Sequence, residues 1–512
     1  MKTAFQLFKE HVAKSTPEWA AQICGVPAEA IRRIGLDLGQ NAMIGSTITL
    51  DGVTLPYRPV SLMAYHMSQQ ELGFQAIRAM IMTFMLVGAV EAVGGVRIDF
   101  TWKIHGNHDK FETLKIKDPP YNLYLADSKF FPINSNNSGV VAKVMQNPSK
   151  YGVDFTPEVL IVHMANPLGS FASQQDFLDS YKKCKFVAVI DPWLSETADY
   201  FADVILPAAT IEKYEGPINA ADQYVSATTL RVPPMKPLFQ SRAEIDIYMD
   251  LCEKAGILYG KDGYLDEVNR ALKLKDAYKL DLNTKPAVRE IFDRWAKSEG
   301  IADGVAHFEK NGVRVKGRFS AKAFYGFAQS PPFNGKTHRL YGESLLRYQQ
   351  EMKAKGSEKI YWQDYTPFPT WRPPTMEASP PQYDFILITY KLIEFKQSRS
   401  SFIPLLAELA PEQRLDINPK AARQRGIKDG DMVWVESHNA LTGETRKVQV
   451  RAVLSEGIRP DTVGMPHHYG MWTHPAAKGQ GPTPNALFFT GEGYVSNTAD
   501  QSFLVKVRVF KA

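Results

Sequence analysis

The sequence predicts an α/β chain in which a parallel sheet surrounded by helices is followed by a compact β-barrel. Three observations carry this. From Glu158 to Thr210, near-continuous apolar runs of strand length alternate with helical spacing, the pattern of a parallel sheet covered on both faces. The span 365–382 then holds six prolines and reads as a stiff extended linker. After it, short apolar runs are joined by turn chemistry, as in a barrel.

The chain has 512 residues, enough for several domains that each bury a core. Apolar residues make up 44% and charged residues 22%, which excludes a disordered or collagen-like chain. A net charge of +5 over this length gives no argument for nucleic acid. The three cysteines, Cys24, Cys184 and Cys252, form no CxxC, so neither a zinc ribbon nor an iron–sulfur ligand set is indicated. No export signal is visible at the start. The most apolar stretch, Ala79 to Val96, is interrupted by Glu91 and by glycines. It reads as a buried helix of a soluble chain ending at Gly94-Gly95, with no direct membrane span.

The elements follow in order, over five expected spans. Residues 1–155 are helical and then loop-rich. Within them Thr16-Pro17-Glu18 starts a helix with a cap, a proline and an acid, Gly25-Val26-Pro27 ends it, and AEAIRRIGLDLGQ starts another. Residues 156–260 hold the sheet: EVLIVHMANP, the helical SQQDFLDSYKKC, KFVAVID, a short helix that Ser195 caps, and DVILPAAT. Residues 261–364 are a charged, mostly helical insertion, 365–382 the linker, and 383–512 the barrel. No repeat of solenoid period occurs.

In parallel α/β sheets, ligands bind beyond the carboxyl ends of the strands, where Asn166 and Asp191 stand. Asn-Pro and Asp-Pro are also ordinary turn dipeptides, and no GxGxxG or GxxxxGK[ST] stands nearby. The stretch Thr389–Ser401 mixes hydroxyls with Lys391, Lys396 and Arg399, which suits a pyrophosphate and equally suits a solvated loop. Met465–Trp472 places His467, His468 and Trp472 beside a glycine, as a substrate funnel or as a structural aromatic loop. Neighbouring side chains on an extended chain point opposite ways, so the two histidines are not expected to share a metal ion. His105 and His108 read as turn residues.

Taken together, ANPLGS, VIDPWLSETADYFADVILPAAT, IEKYEGPINAADQY and SRAEIDIYMDL resemble the second dinucleotide-binding region of molybdopterin oxidoreductases of the dimethyl sulfoxide reductase type. INPKAARQRGIKDGDMVWVES, GPTPNALFF and QSFLVKVRVF resemble that family's C-terminal molybdopterin-dinucleotide-binding barrel, and the opening helices resemble the stretches before those parts. The resemblance implies a Rossmann-like sheet domain and a double-psi-like barrel. It implies bis-molybdopterin guanine dinucleotide with Mo or W as cofactor, and oxo- or sulfur-transfer chemistry of the kind used in anaerobic respiration. By resemblance, Asn166 contacts one guanosine end, Ile190 and Asp191 hold its guanine or ribose, and Glu244 makes a similar contact. Thr389, Tyr390, Lys391, Lys396, Gln397 and Ser398 wrap the pyrophosphate, and Asn485 reaches a pterin. Tyr214 and Leu504 replace cationic positions of several relatives and are not taken as site residues, and Cys24 is not taken as a metal ligand.

The same resemblance implies that the chain is the C-terminal half of a catalytic subunit, split or truncated and inactive alone. The metal's protein ligand and an iron–sulfur cluster then belong to an N-terminal half, with an iron–sulfur electron-transfer subunit as a further partner. No catalytic residue is assigned. The His-His-Tyr-Gly-Met-Trp loop leans toward a polysulfide, thiosulfate or arsenate reductase-like branch, and family habit suggests a periplasmic setting. The alternative is a cofactor-free structural subunit of a respiratory complex that keeps the fold.

Overall fold

A computed structural model describes residues 2–96, 122–134, 138–219, 225–325 and 340–512. His105 and His108 lie outside the described residues, as does the side chain of Ser398. The chain divides into two compact units. One is drawn from the described parts of residues 1–63, 80–118 and 206–340, the other from those of 64–79, 119–205 and 341–512.

The first unit begins with helices α1 (Ala4–Val12), α2 (Pro17–Cys24) and α3 (Ala28–Asn41). Thr16 caps α2 by accepting from the Trp19 N–H, and Gly25 ends it in the left-handed region, as the sequence expects. The helical expectation stops short at β1 (Thr47–Leu50) and β2 (Val53–Pro56), an antiparallel hairpin. Its turn is Asp51-Gly52, both at positive φ (49° and 75°), the two-residue turn whose twist matches paired strands. The apolar stretch after it also differs from expectation. The helix there, α4, spans Gly73–Leu86 and ends well before Gly94-Gly95. Gly88 at φ 71° turns the chain, and the Ala89 N–H returns to the Phe84 carbonyl, closing the helix end. Among the described residues no helix is long and apolar enough to cross a membrane.

The second unit carries the sheet. Between α4 and the sheet runs α5 (Val141–Gln146). Strand β3 (Val159–His163) lies parallel to β4 (Phe186–Asp191), followed by β5 (Val204–Pro207), in the order β3-β4-β5. Helices α6 (Pro167–Ser170), α7 (Gln174–Tyr181) and α8 (Glu196–Phe201) make the connections. Ser195 caps α8 by accepting from the Ala198 N–H. Val162, Phe177, Tyr181, Val187, Val189 and Ala198 form the core beneath these helices together with Met145 of α5. The central strand is covered on both faces as expected, with Val187, Ala188, Val189 and Ile190 of β4 all buried, whereas the edge strands are only partly covered: β3 buries only Val162, and Val159, Ile161, Val204 and Ile205 are exposed. Within the sheet, exposure of apolar side chains is confined to the edge strands and to Phe186 at the start of β4. Among the described residues this sheet has three strands in sequential order.

In the first unit, β6 (Glu215–Asn219), β7 (Val225–Arg231) and β8 (Val313–Arg318) form an antiparallel sheet. Between β7 and β8 run α9 (Glu244–Lys254) and the helices Tyr264–Ala271, Val288–Ser298 and Val305–Asn311, around Met249, Leu265, Ile291, Trp295 and Phe308.

Residues 365–382 run mostly without regular structure and are anchored in the second unit. Arg372 pairs with Glu71 and Asp364, and Tyr365 is fully buried. The barrel then closes as expected from six strands: β9 (Phe385–Tyr390), β10 (Arg414–Ile417), β11 (Met432–His438), β12 (Thr445–Leu454), β13 (Thr462–Pro466) and β14 (Val505–Lys511). The order is β10-β12-β11-β14-β9-β13, with β9/β13 and β10/β12 parallel. Alternation along each strand sends Leu387, Leu415, Val433, Val435, Val450 and Val507 into one dry interior.

Leu387 is fully buried in that interior. Leu387→Ala is expected to lower stability by about 2–5 kcal/mol, through lost burial and a residual cavity. Urea unfolding of the full chain checks this, and a cost below about 1 kcal/mol would show that the barrel interior is loosely packed.

Candidate functional site

The loops at the carboxyl ends of β3 and β9 and the loop after β13 meet in the second unit. They line a cleft of about 230 Å³ with His66, Gln69, Gly169, Ser170, Phe171, Thr389, Gln397, His467, Asn485, Gln501 and Phe503. Four of the residues singled out by sequence therefore share one concave surface: Thr389, Gln397, His467 and Asn485. Among the described residues its lining holds no Lys, Arg, Asp or Glu. It is a hydrogen-bonding surface without fixed charge.

Asn485 is 2% exposed. Its Nδ2 donates to the Gly169 carbonyl (3.1 Å), which fixes the amide's orientation and leaves Oδ1 buried without a hydrogen-bond partner. An unsatisfied buried acceptor costs roughly 1–3 kcal/mol, so a ligand N–H or O–H there recovers what folding leaves unmade.

The two histidines do not diverge as an extended chain requires. The strand ends at Pro466, the chain turns, and the rings lie 4.4 Å apart, both against the loop after β9. Their roles differ. His468 is fully buried; its Nδ1–H donates to the Gln397 carbonyl (2.9 Å) and its Nε2 accepts from the Leu392 N–H (3.0 Å). It is a staple for the 391–400 loop, and burial lowers its pKa. His467 lines the cleft, with Nε2 donating to Gln397 Oε1 (3.0 Å). Burial, reinforced by His468, Lys391 and His66, pushes its pKa down to about 4. Among the described residues, no group of three or more His, Cys, Asp or Glu is arranged to hold a metal ion.

The other expected residues are placed as follows. Tyr390 ends β9 with its hydroxyl donating to Asp416 and accepting from Arg414 Nε (3.2 Å), so it braces the barrel. Lys391 and Lys396 are exposed and do not line the cleft. Ile190 is fully buried and offers no side-chain contact to solvent. Asp191 accepts one hydrogen bond, from the Trp193 N–H (3.0 Å). Burial raises its pKa to about 6, against the pull of that N–H. Asn166 spends its amide within the chain: Nδ2 donates to Glu196 (2.7 Å), and Oδ1 accepts from the Thr197 hydroxyl (2.9 Å). Trp472 is tied by its backbone N–H to Glu196 (3.0 Å) and by its indole N–H to Asp199 (2.8 Å), rather than left free in a funnel.

Glu244 belongs to the other unit, where it pairs with the buried Lys213 beside a separate pocket that Lys213, Tyr214, Arg242 and Asp246 help to line. Sequence reasoning missed Glu196 and Lys213. Each is a charged residue next to an apolar run, the one available signal, and neither burial nor partner can be read from that.

Two family models match the chain: "Molybdopterin oxidoreductase" over residues 9–254 and "Molydopterin dinucleotide binding domain" over residues 385–497. Among curated proteins, trimethylamine-N-oxide reductase of Haemophilus influenzae is 24% identical, over 92% of this chain and 54% of its own length. The molybdopterin-containing subunit of thiosulfate reductase from Salmonella typhimurium is 23% identical, over 90% of this chain and 57% of its own. The chain thus spans about half the length of these curated relatives. Among solved structures, acetylene hydratase from Pelobacter acetylenicus shares the fold over 100% of this chain and 66% of its own, with a TM-score of 0.65 at 15% identity. The matched domains are spread along the chain, so the expectation of a C-terminal half finds no support in them.

The depressed pKa of His467 sets an expected titration. With a folded value of about 4 below the ordinary 6.5, the neutral ring persists as pH falls from 7 to about 5. The stability tied to it is complete above the unfolded value and is lost as pH falls through about 4. Ring-proton NMR with a His467→Gln control checks this, and protonation near 6.5 would show the ring to be solvated.

Proposed function

The chain belongs to the molybdopterin oxidoreductases, with relatives in the dimethyl sulfoxide reductase family, and from that premise we propose that it holds the dinucleotide of an oxo- or sulfur-transferring catalytic subunit. The cofactor class is a molybdopterin dinucleotide carrying molybdenum or tungsten. When bound, that group supplies two-electron redox chemistry at its metal. The chain's own residues bind and orient it.

The observation that carries the reading is the buried, unpartnered Oδ1 of Asn485 on an uncharged polar cleft. A pterin is a neutral heterocycle edged with N–H donors and ring acceptors. A lining of amides, a hydroxyl and a neutral imidazole meets such an edge without the cost of burying an unpaired charge. Asn485 would accept from it, while Thr389, Gln397 and His467 would line the same side, with His467 kept neutral by burial. The phosphates are the charged part, and Lys391 and Lys396 on the adjoining loop are the cations proposed to meet them. Asp191, with a single hydrogen bond, is the acceptor proposed for the ribose or guanine. The finer fold labels, Rossmann-like for the sheet and double-psi-like for the barrel, belong to this same reading.

The proposal includes a partner. An iron–sulfur electron-transfer subunit is the partner proposed, a reading in keeping with one of the relatives being named a subunit. The substrate stays at the level of a small oxo- or sulfur-bearing acceptor, since the two relatives above act on an amine oxide and on thiosulfate by name. A second reading, the cofactor-free scaffold, has one observation in its favour: Asn166 and Trp472 spend their polar groups inside the chain.

The complex purified from its native host decides between them. Molybdenum or tungsten together with GMP released on acid hydrolysis is expected; a complex without either makes the chain a scaffold. Asn485→Leu is expected to cost the chain no more than about 1 kcal/mol, since one hydrogen bond is lost and an unsatisfied oxygen goes with it. The same variant is expected to lose most of the bound GMP. Full retention of GMP would remove Asn485 from the site.

A further inference from the structure

We propose that Glu196 is the positioning residue of the dinucleotide site, acting through Asn166 and the 467–474 loop without touching the ligand. The inference rests on the reading of that site given above. Glu196 is 0% exposed. Its Oε1 accepts from the Trp472 N–H (3.0 Å), the Thr473 N–H (3.3 Å) and the Thr473 hydroxyl (3.0 Å). Its Oε2 accepts from Asn166 Nδ2 (2.7 Å). Four donors from two loops, far apart in sequence, converge on one carboxylate.

A carboxylate suits this place because every group facing it is a donor. Its charge is buried, and such a charge is tolerable only when several donors satisfy it. A glutamine keeps one carbonyl oxygen for the Trp472–Thr473 side but turns an NH₂ toward the NH₂ of Asn166. Two donors then face each other.

The consequence for the cleft is geometric. The Asn166 loop supplies Gly169 and Ser170 to one wall, and the 467–474 loop supplies His467 to the lining. The Gly169 carbonyl also holds the amide of Asn485 (3.1 Å). Glu196 therefore sets how the wall that orients Asn485 stands against the barrel loop. Asn166, expected from the sequence to meet guanosine, acts here as the link between that wall and Glu196.

The test uses the full chain and the native complex, with variants Glu196→Ala, Glu196→Gln and the double variant Asn166→Asp/Glu196→Gln. In the ligand-free chain, amide hydrogen exchange at Trp472 and Thr473 is expected to rise about tenfold in Glu196→Ala and to stay near wild type in Glu196→Gln. In the complex, GMP released per chain is expected to fall about threefold or more in Glu196→Gln. It is expected to return close to wild type in the double variant, where an aspartate accepts from the new NH₂ and from Thr197. Wild-type GMP content in Glu196→Gln overturns the proposal, and so does a double variant as depleted as the single one, which would make Asn166 a direct ligand contact. If Glu196→Ala does not fold, the Glu196→Gln pair still decides. If the wild-type complex itself lacks GMP, the functional reading fails, and exchange alone judges Glu196: no change at Trp472 and Thr473 in Glu196→Ala overturns it.

Discussion

The second unit depends on two carboxylates buried between its sheet layer and its barrel. Asp176 accepts from Lys143 Nζ (2.5 Å) and from the Ser173 hydroxyl, and pairs with Arg446 (3.5 Å). Glu196 accepts from Asn166, Trp472 and Thr473. Burial works to raise the pKa of Asp176, yet Lys143, Ser173 and Arg446 outweigh it and hold the group below the ordinary carboxylate range. A buried charge without partners costs several kcal/mol, and satisfying it needs donors in one particular arrangement. Oily contacts between a helical layer and a barrel tolerate sliding, whereas these two charges do not. They set the register in which the loops after β3, β4 and β13 meet.

The cleft follows from that register. Once the Asn166 loop and the 467–474 loop are tied together, Gly169 and His467 line one surface and Asn485 falls between the sheet layer and the barrel. His468, buried and hydrogen-bonded through both ring nitrogens, pins the loop that leaves β9 and so places Gln397 against His467. The division of labour is physical. Groups that must stay put are held by several hydrogen bonds, as with the buried Glu196 and His468 and the half-buried Asn166. The group best suited to a ligand, Asn485, is buried and left one bond short. Such a shortfall is a stability cost that a bound donor can offset.

Much of the local structure was legible in the sequence. Thr16, Pro17 and Gly25 bound α2, Ser195 caps α8, and the apolar runs at 159–163, 186–191 and 204–207 are strands. Caps, prolines and residue periodicity act over one or two turns, so composition within a short window reports them. The Asp51-Gly52 hairpin carries a turn signal of the same kind, but helical patterns on both sides dominate the window around it. The end of α4 at Leu86 is not legible in the sequence because Gly88 competes with Gly94-Gly95 as a stop, and only the returning Ala89 hydrogen bond selects it.

The sequence by itself determined the helices and strands of the sheet layer, the barrel after the proline-rich span, and the family, because these follow from short-range pattern and from motifs in order. Tertiary structure alone decided which candidates share a surface. Thr389, Gln397, His467 and Asn485 meet in one cleft, whereas Asn166, Tyr390 and Trp472 turn their polar groups to brace the scaffold. The turn after Pro466 sets both histidine rings against the loop after β9, and Glu196 emerges as a hub. The reason is that a polar side chain's role depends on whether its partners are already taken. Those partners here lie up to some 300 residues away in sequence, as with Gly169 and Asn485, where only the closed fold brings donor to acceptor.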